Sequence, residues 1–158
     1  MKYLAMVVFT LALMLQSAPL FAHCEIPCGI YEDNIRIEMI NEHITTIEKS
    51  MKKVTELSAE GENNYNQIVR WVNNKETHAT ELQHIVHQYF MTQRIKPVEP
   101  SNAEAYEKYL SELEMLHQML VLSMKCKQTT DQVHVDRLRA ITADFSDSYL
   151  GKDSGHSH

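Results

Sequence analysis

The sequence predicts an all-α fold: an antiparallel four-helix bundle behind an irregular N-terminal segment. Three observations lead there. Apolar residues recur at alternating spacings of three and four through four stretches, the period of a helix that buries one stripe. Only four Gly and four Pro occur, most of them gathered at three places, too few for the turns a strand-rich chain needs. Two of the connections carry helix-start signals.

The first stretch, residues 34–57, sets Ile37, Ile40, Ile44, Ile47, Met51 and Val54 on one stripe. Gly61, with Asn63 and Asn64, interrupts it. The second, residues 65–95, carries Ile68, Val72, Ala79, Leu82, Val86 and Tyr89 on one face. Pro97 and Pro100 end it, because proline has no N–H to give and clashes with the preceding turn. "SNAE" then reads as a capping box, Ser101 with Glu104, in which each side chain takes up an otherwise unpaired N–H of the other residue. The third helix presents Tyr109, Leu113, Leu116, Leu120 and Met124. "TTDQ" supplies a second box, Thr129 with Gln132, and opens a fourth helix with Leu138, Ile141 and Phe145. Connections this short make neighbours antiparallel. The bundle should span residues 34–150, and the polar "GKDSGHSH", residues 151–158, reads as a flexible tail. Such a bundle names no function.

Residues 1–22 differ from the rest. A basic start at Lys2 leads into an apolar run interrupted only by Thr10, and "QSAPLFA" supplies a more polar end with a small last residue. That is the pattern of a secretory signal peptide, and the run is short for a membrane span. The expected cut follows Ala22, with no Arg-Arg pair to indicate export of a folded chain. Acylation at Cys24 does not fit, because that residue follows His23 and not a small residue. The mature protein is therefore expected to be secreted or periplasmic, with no stable membrane association after the cut. The formal charge is −6, without a dense Lys/Arg patch, which argues against nucleic acid as a partner.

The cut would leave a chain that begins His23-Cys24-Glu25-Ile26-Pro27-Cys28-Gly29-Ile30-Tyr31. It would free an α-amine whose pKa, roughly 7.7–8.0, lets it lose its proton and bind a metal. With the His23 imidazole, the Cys24 backbone nitrogen and two thiols, nitrogen and sulfur donors crowd into six residues. Pro27 and Gly29 help the backbone turn so that Cys28 returns beside Cys24. A planar set of such donors suits Ni(II) or Cu(II) better than tetrahedral Zn(II). The residues alone leave a second reading open, a Cys24–Cys28 disulfide, which an oxidising compartment favours. A thioredoxin-type pair needs two intervening residues, and here there are three.

His-Cys-x-x-Pro-Cys-Gly-x-Tyr at a processed N-terminus resembles the nickel hook of nickel-containing superoxide dismutases, and "RWVNNKETHA" is similar to that family more loosely. The resemblance implies a four-helix enzyme with a nickel-binding hook over residues 23–33, converting superoxide to O2 and H2O2 by Ni(II)/Ni(III) cycling. It implies nickel ligation by the amine and imidazole of His23, the backbone nitrogen and sulfur of Cys24, and the sulfur of Cys28. It places Tyr31 beside the approach to the metal and Glu38, in "RIE", on the axial imidazole. The family's supporting Arg is replaced here by His78, and the segment between Tyr31 and "RIE" is one residue shorter than in the better-known members. Family members assemble as hexamers, so a homohexamer is expected. The disulfide becomes, on this view, the oxidised and metal-free form. The rival expectation is an exported nickel- or copper-binding protein without catalysis; a plainer one is a helical interaction module.

Other residues read as structure. His84, His87 and His117 are expected to be solvated or core histidines, and Cys126 a small buried residue. Trp71 and the methionines read as packing, and His156 and His158 as part of the polar tail.

Overall fold

Ile37, Ile40, Ile44, Ile47 and Met51 are all buried in the computed structural model of the chain, as their spacing predicts. The structure describes residues 32–151. The leader, the donor segment through Tyr31 and the tail from residue 152 lie outside the described residues. Helix α1 runs Asp33–Ala59, followed by a 3-10 turn at Glu62–Asn64 and by α2, Tyr65–His84. The chain continues without a break into a π-helical segment, Ile85–Arg94. Helices α3, Ala103–Gln128, and α4, Gln132–Leu150, complete the fold. Helix α1 packs on α2 and α4, and α3 packs on the same two, so the four close into a ring. This is the expected bundle. No described helix is long and apolar enough to cross a membrane.

Gly61 turns the chain between α1 and α2 at φ 95°, a left-handed conformation that a side chain would strain. Val54, Ile68 and Val72, at the α1–α2 end of the stripes, are only half-buried. The centre of the core is aromatic. Phe90 meets Tyr89, Phe145 and Tyr149 edge-on at 5.2, 5.1 and 5.5 Å between ring centroids. Phe145 and Tyr149 stack at 5.4 Å.

Several expectations shift. Neither capping box forms. Asn102 caps α3, its Oδ1 accepting from Ala105 N at 3.4 Å, because Ser101 is taken up in the turn that Asn102 N closes onto Glu99 O. Asp131 caps α4, its Oδ1 accepting from Val133 N at 3.1 Å. Thr129 is used up instead in closing α3, its N–H donating to Lys125 O while its Oγ1 accepts from Asp131 N. The inward face of α3 is also rotated from the one expected. Leu116 is buried beside Met115, Met119, Leu122 and Cys126, while Met124 is 43% exposed.

Buried polar groups tie α2 to α3. The Lys75 ammonium donates to Lys127 O at 2.7 Å and Thr129 O at 3.0 Å, satisfying carbonyls that the end of α3 leaves without helical partners. Gln83 donates to Leu120 O and accepts from Lys127 Nζ. Cys126 is buried as expected, and burial pushes its thiol up to about 11.

Candidate functional site

The donor residues His23, Cys24 and Cys28, and Tyr31 with them, lie outside the described residues. What the structure does describe is the place where that segment joins the bundle. Asp33, two residues after Tyr31, opens α1, and its carboxylate is the centre of a polar cluster. The Tyr89 hydroxyl donates to its Oδ1, and the Tyr149 hydroxyl donates to its Oδ2 at 2.8 Å. Arg94 Nε stands 2.9 Å from Oδ1, and its Nη2 donates to the Tyr89 oxygen at 2.8 Å. The guanidinium groups of Arg36 and Arg94 lie 4.9 and 4.8 Å from the Tyr89 ring centroid. Burial, reinforced by the hydrogen bond to the Asp33 carboxylate, raises the pKa of both phenols, that of Tyr149 strongly. Two separate elements, the π-helical segment and α4, therefore converge on the first turn of α1.

The π-helical segment makes this convergence possible. Its i to i+5 pattern is visible in Ile95 N donating to Phe90 O at 2.9 Å, and in Thr92 and Gln93 side chains donating to the carbonyls of His87 and Gln88. The apolar spacing of residues 65–95 predicts ordinary helix, from which the structure departs in this stretch. Beside it lies an open cleft lined by Arg94, Lys96, Lys108, Glu112 and Tyr149, so cations outnumber anions there in a chain that is acidic as a whole.

Glu38 is exposed on α1, and no hydrogen bond joins it to His78. His78, half-buried on α2, instead meets His43 of α1, with the two Nδ1 atoms 2.8 Å apart. One imidazole N–H donates to the bare ring nitrogen of the other. Burial lowers the pKa of His43, the neighbouring His78 lowers it further, and Glu81 and Glu42 partly offset both. His84, His87 and His117 are exposed. Among the described residues no group of three or more His, Cys, Asp or Glu side chains is placed to hold a metal.

The groups that residues 23–28 offer fit nickel by their chemistry: backbone nitrogen, an imidazole and two thiols, to which a cut before His23 would add an amine. The model of the nickel-containing superoxide dismutase family matches residues 18–152, a span that includes this set and the whole bundle. The chain belongs to that family. It is thus an oxidoreductase with nickel as its cofactor and superoxide as its substrate. No curated protein and no solved structure matches the chain at a significant level.

Sequence reasoning missed Asp33, Tyr89, Arg94, Tyr149 and His43. Tyr89 was legible only as a member of an apolar face, and its hydroxyl partner lies 56 residues away. His43 carried no signal, since its partner is on the next helix.

Proposed function

We propose that this member of the nickel superoxide dismutase family works outside the cytoplasm, and that removal of residues 1–22 creates its metal ligand. The observation that carries the reading is the position of His23: the donor run begins at the expected cut, inside the span that the family matches. His23 would hold nickel through the freed amine and its imidazole, Cys24 through its backbone nitrogen and sulfur, and Cys28 through its sulfur. Bound nickel supplies one-electron chemistry between its divalent and trivalent states, by which two superoxide ions and two protons become O2 and H2O2. Anionic thiolates and an amide nitrogen favour the higher state, which aqueous nickel reaches only with difficulty.

The remaining residues serve the donors. Pro27 and Gly29 let the backbone turn. Tyr31 would line the approach to the metal and could supply a proton to the reaction. Glu38, exposed and unengaged among the described residues, is free to accept from the His23 imidazole. His78 supports the same imidazole only weakly, since it is committed to His43. The cation-rich cleft beside Arg94 gives an anion a locally favourable approach despite the overall negative charge. Assembly as a homohexamer would enclose each donor segment with neighbouring subunits.

The test compares nickel-loaded protein starting at His23 with the same chain bearing one extra N-terminal residue. Dismutation by the His23 form alone supports the reading. Equal activity in both removes the amine from the site. Bound nickel without activity in either points to an exported nickel- or copper-binding protein. Sedimentation of the His23 form reports the assembly.

A further inference from the structure

We propose that His43 and His78 form a second cation site, a two-imidazole clamp between α1 and α2 for a borderline divalent metal such as Ni(II) or Cu(II). The site uses none of the donors of residues 23–28, although it shares His78 with the support proposed above for the His23 imidazole, and for that reason its test removes Cys24 and Cys28. The two Nδ1 atoms stand 2.8 Å apart, with ring centroids at 5.1 Å and planes tilted by 55°. Two ligands bound at about 2.0 Å and at right angles to each other are about 2.8 Å apart, whereas tetrahedral ligands spread to roughly 3.3 Å. The spacing matches a square-planar or octahedral ion with water in the other positions, once the rings turn by about 45° from the hydrogen-bonded pose, in which one Nδ1 points at the other, to aim both at a common point.

The protonation state fits as well. A metal needs both Nδ1 lone pairs, and the N–H···N contact already requires one of them to be bare. Moving the other proton from Nδ1 to Nε2 through solvent frees the second without changing the charge of either ring. Burial and the neighbouring ring both hold His43 towards its neutral, ligand-competent form. Charge is favourable too. Glu42 adjoins His43 in sequence, and Glu81 is one helical turn from His78, near enough to act on the His43 ring. Both rings are half-buried, so a hydrated ion reaches them without unfolding the bundle. His84, His87 and His117 are by contrast all exposed.

A clamp joining helices 35 residues apart in sequence binds the folded chain and not the unfolded one, so the cation must raise the melting temperature. The experiment uses the full chain with Cys24→Ser and Cys28→Ser, titrated with NiCl2 or CuCl2 and melted with and without EDTA. The expected result is a saturable rise in Tm that His43→Asn or His78→Asn abolishes, with at least a tenfold loss of affinity. A rise that survives either substitution, or no rise at all, overturns the proposal. Should a substituted chain fail to fold, the Cu(II) EPR spectrum of the Cys24→Ser/Cys28→Ser chain decides instead. Two imidazole nitrogens on copper support the clamp, and fewer than two overturn it.

Discussion

Replacing Asp33 by alanine should loosen the bundle at the end where the donor segment enters. The Asp33 carboxylate accepts from two phenols, Tyr89 and Tyr149, and pairs with Arg94. Hydrogen bonds to a charged group contribute about 1.5–3 kcal/mol each. The ion pair adds no more than about 1 kcal/mol, since its side chains are 25% and 27% exposed and water screens them. A carboxylate in the first turn gains a further ~0.3–1 kcal/mol from the helix dipole. These contributions share one group and are not additive, and Tyr89 keeps its bond from Arg94 when Asp33 is lost. The net loss should be about 2–4 kcal/mol. For a chain of this size that corresponds to a fall in Tm on the order of 10 °C.

Urea titration of Asp33→Ala, Tyr149→Phe and the double variant measures the loss directly. The two single effects should couple by about 1 kcal/mol or more, because each removes the same hydrogen bond. A loss below about 0.5 kcal/mol, or strict additivity in the cycle, would refute the claim that this carboxylate pins the start of α1.

Lys75→Met should cost about 1–3 kcal/mol, since it leaves the carbonyls of Lys127 and Thr129 without their buried donor; the Tm against wild type checks it. Phe90→Ala removes the ring that three others pack against edge-on, and about 3–5 kcal/mol should be lost in a denaturant melt. His43 has a folded-state pKa below its ordinary 6.5, so the unfolded chain binds the extra proton first as pH falls. Its contribution to stability is complete above pH 6.5 and is lost as pH drops through the lowered folded-state value; His43→Asn should flatten that part of a Tm-against-pH curve.

What the sequence revealed depended on how local each feature is. The stripe of α1 was legible because aliphatic residues hold to three-four spacing and nearly all its other positions are polar. Helix α3 misled, since Leu113, Met115, Leu116, Met119, Leu120, Leu122 and Met124 offer two adjacent apolar stripes and spacing alone does not choose between them. The caps slipped by one or two residues where a competing turn took up the expected cap residue, through its hydroxyl at Thr129 and through the backbone around Ser101. The candidate donors His23, Cys24 and Cys28 stand out in the sequence because all of them fall within six consecutive residues. The Asp33 cluster was not: it joins residues 33, 89, 94 and 149, which no pattern along the chain connects.

The π-helical segment explains how those distant residues meet. In an α-helix, Tyr89 and Arg94 would differ by five residues and so lie about 140° apart around the axis, on different faces. With i to i+5 bonding the wider turn brings the two onto nearly the same face, and Arg94 reaches both the Tyr89 oxygen and the Asp33 carboxylate. Phe90 meanwhile keeps its place against Phe145 and Tyr149. Ten residues of this conformation are unusual in any protein, because its hydrogen-bonding geometry is rarely favourable, and such stretches occur mostly at functional sites. Here the compensating contacts all converge on one carboxylate two residues beyond Tyr31. The least ordinary backbone of the bundle is thus tied to a residue close in sequence to the segment proposed to bind nickel.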